Sequence, residues 1–375
     1  MFSLPLVAEY RLPPAPSIKA NSYILIDYDT GKVMLEKDVT LPQDPASITK
    51  VMTAYVVFKE IMDNPELLDS EVRISEKAYK VEGSRTFLEI NSSVPLKEVL
   101  LGLIVQSGND AAIALAEHID GSEEAFADKM NFYAHRLGMN TTQFINSTGL
   151  PNPEHYSSAE DVAKLAIALI REFPEKYKWF AQKKMTYNDI KQFNRNRLLW
   201  RDPTVDGIKT GYTSKAGYTL LASAKRENMR LISVVFGTKS DKSRLIQSQL
   251  LLNYGFRYFR NATIQKAGDT VLSKRIWFGE NEQLNMGFQK DWVVAVPKRI
   301  VDKLTFDYQM DAERLEAPIK KHQKIGLAKV VYEGEILDSR PIYALEDVPK
   351  SGIFSQILDY IEYFTDKFLL SLFGS

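Results

Sequence analysis

Apolar and polar positions change period several times along the chain, and each change marks an element. Ser22-Tyr23-Ile24-Leu25-Ile26-Asp27-Tyr28, then Asp29-Thr30-Gly31-Lys32, then Val33-Met34-Leu35-Glu36 predict a strand, a turn and a strand. The apolar run Val51-Met52-Thr53-Ala54-Tyr55-Val56-Val57-Phe58 predicts a helix, with Asp44 as its N-cap and Pro45 at its first position. From about residue 60 to 180 the spacing is mostly helical. Leu96, Val99, Leu100, Leu103 and Ile104 form one apolar stripe, which stops at Ser107-Gly108-Asn109. A second helix is expected there, capped by Asn109 or Asp110, and further helices over 122–137 and over 158–171, the latter opened by Ser157 or Ser158. Residues 146–157 read as a loop.

From residue 204 the period becomes that of strands. Val205 to Gly211, Tyr218 to Ala224 and Arg230 to Gly237 are strand-like, and a helix is expected over about 241–256. Strands at both ends with helices between them predict an α+β unit, its sheet made by the early hairpin and the late strands. Short strands and regular turns over 262–348, such as Trp292 to Val296 and the hairpin around Glu333-Gly334-Glu335, predict a small all-β domain. The expected organisation is a lead-in over 1–20, a main domain over 21–258, a β-rich domain over 262–348 and a terminal helix over 350–375. In that helix Ile353, Phe354, Ile357, Leu358, Ile361, Phe364, Phe368, Leu369 and Leu372 share one face, with Asp359, Glu362, Asp366 and Lys367 mostly elsewhere. Such a helix either docks on the body or lies in a membrane interface.

Composition narrows the functional classes. The 375 residues are 45% hydrophobic and 26% charged, with 48 basic and 48 acidic side chains. Without a basic surplus, nucleic acid is not the expected partner. The absence of cysteine excludes disulfides, thiolate metal sites and cysteine nucleophiles. No run reaches the roughly 20 apolar residues that a spanning helix requires. The apolar start, Met1 to Ala8, lacks a basic n-region and a full h-region, so the chain reads as cytoplasmic or as a trimmed form of a secreted one. No metal or cofactor is expected, and no His-Glu-x-x-His occurs. The four histidines, His118, His135, His155 and His322, are scattered and suggest surface or helix-packing roles rather than the base of a Ser-His-Asp site.

Candidate chemistry lies at the start of the first helix. Ser47 falls in its first turn, and Lys50, three residues on, projects from the same face. A serine hydroxyl becomes a nucleophile when a neighbour removes its proton, and burial lowers a lysine's pKa towards that task. Ser-x-x-Lys alone is unspecific, as are Ser107-Gly108-Asn109 as a turn and Lys209-Thr210-Gly211 as a strand end. The three in this order are specific.

Together with Asp44-Pro45-Ala46-Ser47, Leu103 to Ala111 and Asp206 to Thr213, they make the chain resemble the penicillin-binding serine hydrolases. Within these it is most similar to the low-molecular-mass D-alanyl-D-alanine carboxypeptidases of the penicillin-binding protein 5/6 group. The resemblance covers nearly the whole chain, β-rich domain and terminal helix included. It implies a serine carboxypeptidase that removes the terminal D-alanine of the peptidoglycan stem pentapeptide through an acyl-enzyme and takes β-lactams as slow covalent inhibitors. The terminal helix would bind inner-membrane lipid at the periplasmic face. By the same resemblance Ser47 attacks, Lys50 takes its proton, Ser107 relays a proton to the leaving amine, and Asn109 holds Lys50 and the substrate amide. Lys209 would keep Lys50 neutral and attract a carboxylate, which Thr210 would also bind. Gly211 would admit the substrate, and the backbone N–H groups of Ser47 and Tyr212 would form the oxyanion hole. Arg195 and Arg244 match arginines near the family's cleft or serve structural roles. Tyr212 stands where some relatives carry histidine. Two rivals remain: a β-lactamase of the same fold, with Glu154 in the loop where such enzymes carry their water-activating glutamate, and a non-catalytic envelope scaffold.

Overall fold

The computed structural model describes residues 12–373, with the backbone alone for 363, 364 and 366–373. The apolar start and the first part of the expected lead-in fall outside the described residues. One compact unit spans Pro13–Tyr258 and another begins at Phe259.

In the first unit, β1 (Ser22–Asp27) and β2 (Val33–Lys37) form the early hairpin. Their turn is held by Asp27, whose carboxylate accepts the backbone N–H of Thr30 at 2.8 Å. The late strands β3 (Val205–Thr213), β4 (Gly217–Arg226) and β5 (Met229–Thr238) join them in one antiparallel sheet of order β2-β1-β5-β4-β3. The architecture is therefore α+β, and the chain's two ends of this unit meet where β1 pairs β5. Residues Leu231 to Phe236 of β5 are all buried, which requires cover on both faces of the strand.

Helix α1 (Thr49–Asp63) is buried at every position from Thr49 to Phe58. A helix apolar on all sides belongs in a core, and α1 packs against three others: α3 (Asn109–Asp120), α4 (Glu123–Arg136) and α5 (Ala159–Glu172). Helix α2 (Leu96–Leu101) precedes α3, and α6 (Asp241–Tyr258) packs on β4 and β5. Serine caps two of them: Ser158 Oγ, one of the two expected openers, accepts from Asp161 N–H at the start of α5, and Ser122 Oγ accepts from Ala125 N–H at the start of α4.

Three local expectations fail, each in a segment beside one of the motifs. Asp44 does not cap α1. Ala46 has φ +48°, so the chain leaves the helical path and makes a 3₁₀ turn, Ala46–Ile48, before α1 begins at Thr49. The Asp44 carboxylate instead holds Ala46 N–H at 2.8 Å and the Thr213 hydroxyl at 2.8 Å. Neither Asn109 nor Asp110 caps α3; the N-cap position is Gly108, without a side-chain bond. Their side chains are occupied elsewhere, as described below. The stripe over 95–106 is also not one α-helix: α2 passes into a π turn, Gly102–Gln106, which ends at Ser107 with φ +67°. There Gly108 N–H donates to Gly102 C=O at 3.1 Å.

The second unit opens with β6 (Phe259–Gln265), three residues earlier than the pattern suggested. It pairs with β9 (Trp292–Pro297), and a six-stranded sheet is built from β7 (Thr270–Trp277), β8 (Gln283–Gly287), β10 (Thr305–Met310), β11 (Leu315–Glu316), β12 (Lys324–Tyr332) and β13 (Glu335–Ala344). Glu333 and Gly334, with φ +48° and +87°, make the two-residue turn between β12 and β13. Trp292, 1% exposed, fills its core and donates its indole N–H to Asp338 at 2.8 Å.

Helix α7 (Ile353–Phe373) closes the chain. Asp359 and Glu362 turn towards the β domain: Asp359 accepts Phe278 N–H at 2.9 Å, Arg275 binds Glu362 at 2.6 Å, and Tyr360 lies on Phe278. Ile353, Phe354 and Leu358 are 76%, 87% and 68% exposed. The side chains of Phe364, Phe368, Leu369 and Leu372 lie outside the described residues. No helix among the described residues is long and apolar enough to cross a membrane.

Candidate active site

The three tripeptide segments converge on one cleft of about 400 Å³, whose walls include Ser47, Asn109, Arg195 and Tyr212. Ser47 sits on the 3₁₀ turn, half-buried, with α1 running inward behind it. Two glycines allow the turn to be approached. A Cβ on Gly149, itself at φ +78°, would stand 1.9 Å from the Ala46 carbonyl oxygen. A Cβ on Gly211 would stand 2.9 Å from the Pro45 carbonyl oxygen, so β3 can lie against the turn only because residue 211 has no side chain.

Lys50, 1% exposed, is the centre of the polar network. Its Nζ is 2.7 Å from Asn109 Oδ1, 2.5 Å from the Thr148 carbonyl oxygen and 3.3 Å from Ser47 Oγ. Burial pulls its pKa down to about 7; Asp110 and Glu123 oppose the fall, and the positive charge of Arg195 adds to it. A neutral amine has two N–H bonds and one lone pair. Asn109 and Thr148 accept the two N–H bonds, which leaves the lone pair for the Ser47 hydroxyl. The acceptors are themselves fixed. Asn109 Nδ2 donates to the Glu82 carbonyl at 2.6 Å, which sets the amide's orientation. Asn146 Oδ1 accepts both Thr148 N–H and Gly149 N–H, at 3.2 and 2.7 Å, and so shapes the loop that presents the Thr148 carbonyl.

Lys209 lies on β3 and donates to Ser107 Oγ at 2.6 Å. Burial lowers its pKa strongly, and Lys50, Arg195 and Arg244 lower it further. The two lysines repel, so each disfavours charge on the other, and Arg195 adds to the fall at both. Thr210 is buried beside it, and Tyr212, 53% exposed, packs on Tyr218 with ring centres 4.3 Å apart.

The two arginines differ. Arg195 is exposed at the cleft wall and donates through Nε to the Gln106 carbonyl at 3.2 Å. Arg244, 6% exposed, is engaged with the protein itself: Nη1 donates to the Gly211 carbonyl at 2.9 Å and Nη2 to Asp241. It braces β3 and is not among the described residues of the cleft wall. Glu154 is likewise absent from that wall, being exposed to solvent, and no carboxylate lines the cleft among the described residues.

Three supporting groups were not apparent from the sequence. Asp110, 0% exposed, accepts four backbone N–H groups: Thr86 at 2.8, Ala111 at 2.9, Phe87 at 2.9 and Leu88 at 3.2 Å. Asp44 ties the Ser47 turn to β3. His155 is neither a surface nor a helix-packing residue. It is 3% exposed, accepts Ile145 N–H on Nδ1 at 3.1 Å and lies 2.8 Å from Thr49 Oγ1 through Nε2. With Nδ1 an acceptor, Nε2 carries the proton and donates to Thr49. Burial lowers its pKa to about 4, so it is neutral at pH 7. Only the position of Asp110, directly after Ser-Gly-Asn, offered a signal.

Among the described residues, no cluster of His, Asp or Glu is arranged to hold a metal ion.

Comparison with known proteins shows the family. Residues 10–240 fit the family model described as D-alanyl-D-alanine carboxypeptidase, and residues 259–350 fit that of the penicillin-binding protein 5 C-terminal domain. The chain is 38% identical to D-alanyl-D-alanine carboxypeptidase DacA of Escherichia coli K12, over 94% of this chain and 89% of that one. It is 36% identical to DacF of Bacillus subtilis, over 90% and 88% of the two chains. Penicillin binding protein 5 from Haemophilus influenzae superposes with a TM-score of 0.86 at 38% identity, over 90% of this chain and all of that one. With a family model over more than half of its length and relatives that align almost end to end, the chain belongs to the D-alanyl-D-alanine carboxypeptidase family.

Proposed function

We propose that the chain removes the terminal D-alanine from peptidoglycan stem pentapeptides through an ester on Ser47, and that β-lactams trap the same ester. The observation that carries this reading is the Lys50 amine, with its pKa lowered to about 7 and both its N–H acceptors fixed beside Ser47. Ser47 Oγ attacks the carbonyl carbon of the penultimate residue as Lys50 takes the hydroxyl proton. The developing oxyanion is held by the N–H groups of Ser47 and Tyr212, each worth roughly 3 kcal/mol in such a site. The C–N bond breaks, and the proton returns to the leaving amine through Ser107, which is bonded to Lys209. Thr210, Lys209 and Arg195 bind the terminal carboxylate, and Asn109 orients the substrate amide as well as Lys50. Water, deprotonated by Lys50, then attacks the ester and frees Ser47.

The cleft wall supports slow hydrolysis of a penicilloyl ester rather than β-lactamase turnover, because no carboxylate stands there to activate water. Incubation with a peptide ending in D-Ala-D-Ala is expected to release one D-alanine per peptide. A penicilloyl adduct followed by mass spectrometry is expected to survive for minutes. No D-alanine release, or adduct turnover within seconds, would overturn the assignment.

The terminal helix supports a lipid contact at the periplasmic face of the inner membrane. Asp359 and Glu362 are engaged by Phe278 and Arg275, and Ile353, Phe354 and Leu358 face solvent. Binding through apolar area is expected to depend little on salt. The full chain should co-sediment with phosphatidylethanolamine–phosphatidylglycerol vesicles at both low and high salt, and a chain ending at Ser351 should not. A full chain that stays in the supernatant would end this proposal.

A further inference from the structure

A second cavity, of about 580 Å³, opens in the first unit close to the cleft. Its walls include Trp200, Arg197, Arg201, Asp241 and Lys242. The volume is that of a site for a small ligand. Three cations stand against one carboxylate, and that carboxylate is already taken by Arg244, with Arg197 at 3.9 Å. Arg201 and Lys242 have no ion-pair partner among the described residues. Trp200, 45% exposed, offers an apolar ring face between them. A free indole beside unpaired cations suits a ligand that carries carboxylates next to an apolar or sugar face.

Two covalent and hydrogen-bonded links join this cavity to the cleft. Asn194 lines the cavity and the next residue, Arg195, lines the cleft. Asp241 lines the cavity and holds Arg244, which donates to the carbonyl of Gly211, the neighbour of Tyr212 in the cleft wall. The cavity and the cleft are therefore lined by neighbouring residues of one segment, Asn194 and Arg195, and coupled through Arg244.

We propose that this cavity is a subsite for a distal, carboxylate-bearing glycopeptide segment of the polymeric substrate. The proposal rests on the function assigned above. Free carboxylates of a neighbouring stem peptide would pair with Arg201 and Lys242, and the apolar face of the segment would lie on Trp200. The subsite would then favour strands over short peptides by binding alone, because it touches none of the reacting atoms.

The test compares a short diacylated peptide ending in D-Ala-D-Ala with soluble, uncrosslinked peptidoglycan strands. The proteins are the wild type, the double variant R201Q/K242Q and Trp200→Ala. Each variant is expected to raise KM for the strands about tenfold with kcat unchanged and to leave the short peptide and the rate of penicillin acylation unchanged; R201Q/K242Q, but not Trp200→Ala, is expected to remove the salt sensitivity of strand binding. An unchanged KM for strands would overturn the subsite. Equal losses on both substrates would also overturn it, since they would mean that the cavity only supports the cleft. A wild type that releases D-alanine from neither substrate would instead overturn the assigned function, and the subsite with it.

Discussion

Lys50→Met is expected to react with a β-lactam about 10³-fold more slowly than the wild type while keeping its fold. Methionine fills the same space without an amine, and a positioned general base contributes 10²–10⁴-fold to such a step. Stability should change little, because removing the desolvation cost of a buried lysine offsets the loss of the donor to Asn109 and Thr148. A thermal melt separates loss of chemistry from loss of structure. The wild type carries a second sign of the same group. With a pKa of about 7, Lys50 is protonated below neutrality and cannot accept the Ser47 proton. The acylation rate should therefore rise about tenfold per pH unit below 7 and level off above it. Lys50→Arg should not restore the rate, since guanidinium stays protonated at any working pH. Acylation by Lys50→Met within tenfold of the wild type would remove Lys50 from the role of base.

Asp110→Ala is expected to destabilise the first unit by about 3–5 kcal/mol, the cost of breaking a buried charged network. The carboxylate lies in the core and accepts four backbone N–H groups, three of them from Thr86, Phe87 and Leu88. Alanine leaves those donors without an acceptor, and each unsatisfied buried donor costs about 1–3 kcal/mol. Asp110→Asn keeps one acceptor oxygen and should fall between the two. The urea midpoint at unchanged slope measures this. The substitution has a second expected effect with a definite sign. Asp110 raises the pKa of Lys50, so its loss should move the acylation profile to lower pH. A destabilisation below 1 kcal/mol would mean that the Thr86–Leu88 segment finds other partners.

Much of this architecture is written in local pattern. The strand-turn-strand at Ser22–Lys37, the helix opened by Ser158 and the Glu333-Gly334 turn each follow from spacing and turn chemistry within a few residues. The segments carrying Ser47, Ser107 and Lys209 were legible because the three short motifs occur together and in order, each being unspecific alone. Features set by distant partners were not legible. The second acceptor for Lys50 is a backbone carbonyl at Thr148, and no side-chain motif marks a carbonyl. Asp44, Asn109 and Asp110 looked like helix caps because local propensity favours that use; in the fold their side chains are committed to Thr213, Lys50 and the Thr86–Leu88 backbone. Arg244 illustrates the same limit. Its position in α6 gave no sign that it would face the Gly211 carbonyl rather than the cleft.

Peptide mapping of the adduct formed with a labelled penicillin tests the nucleophile most directly. A single modified peptide is expected, with the label on Ser47, and none should form in Ser47→Ala. Label on any other residue, or labelling that persists at the wild-type rate in Ser47→Ala, would contradict activation of the Ser47 hydroxyl by the Lys50 amine.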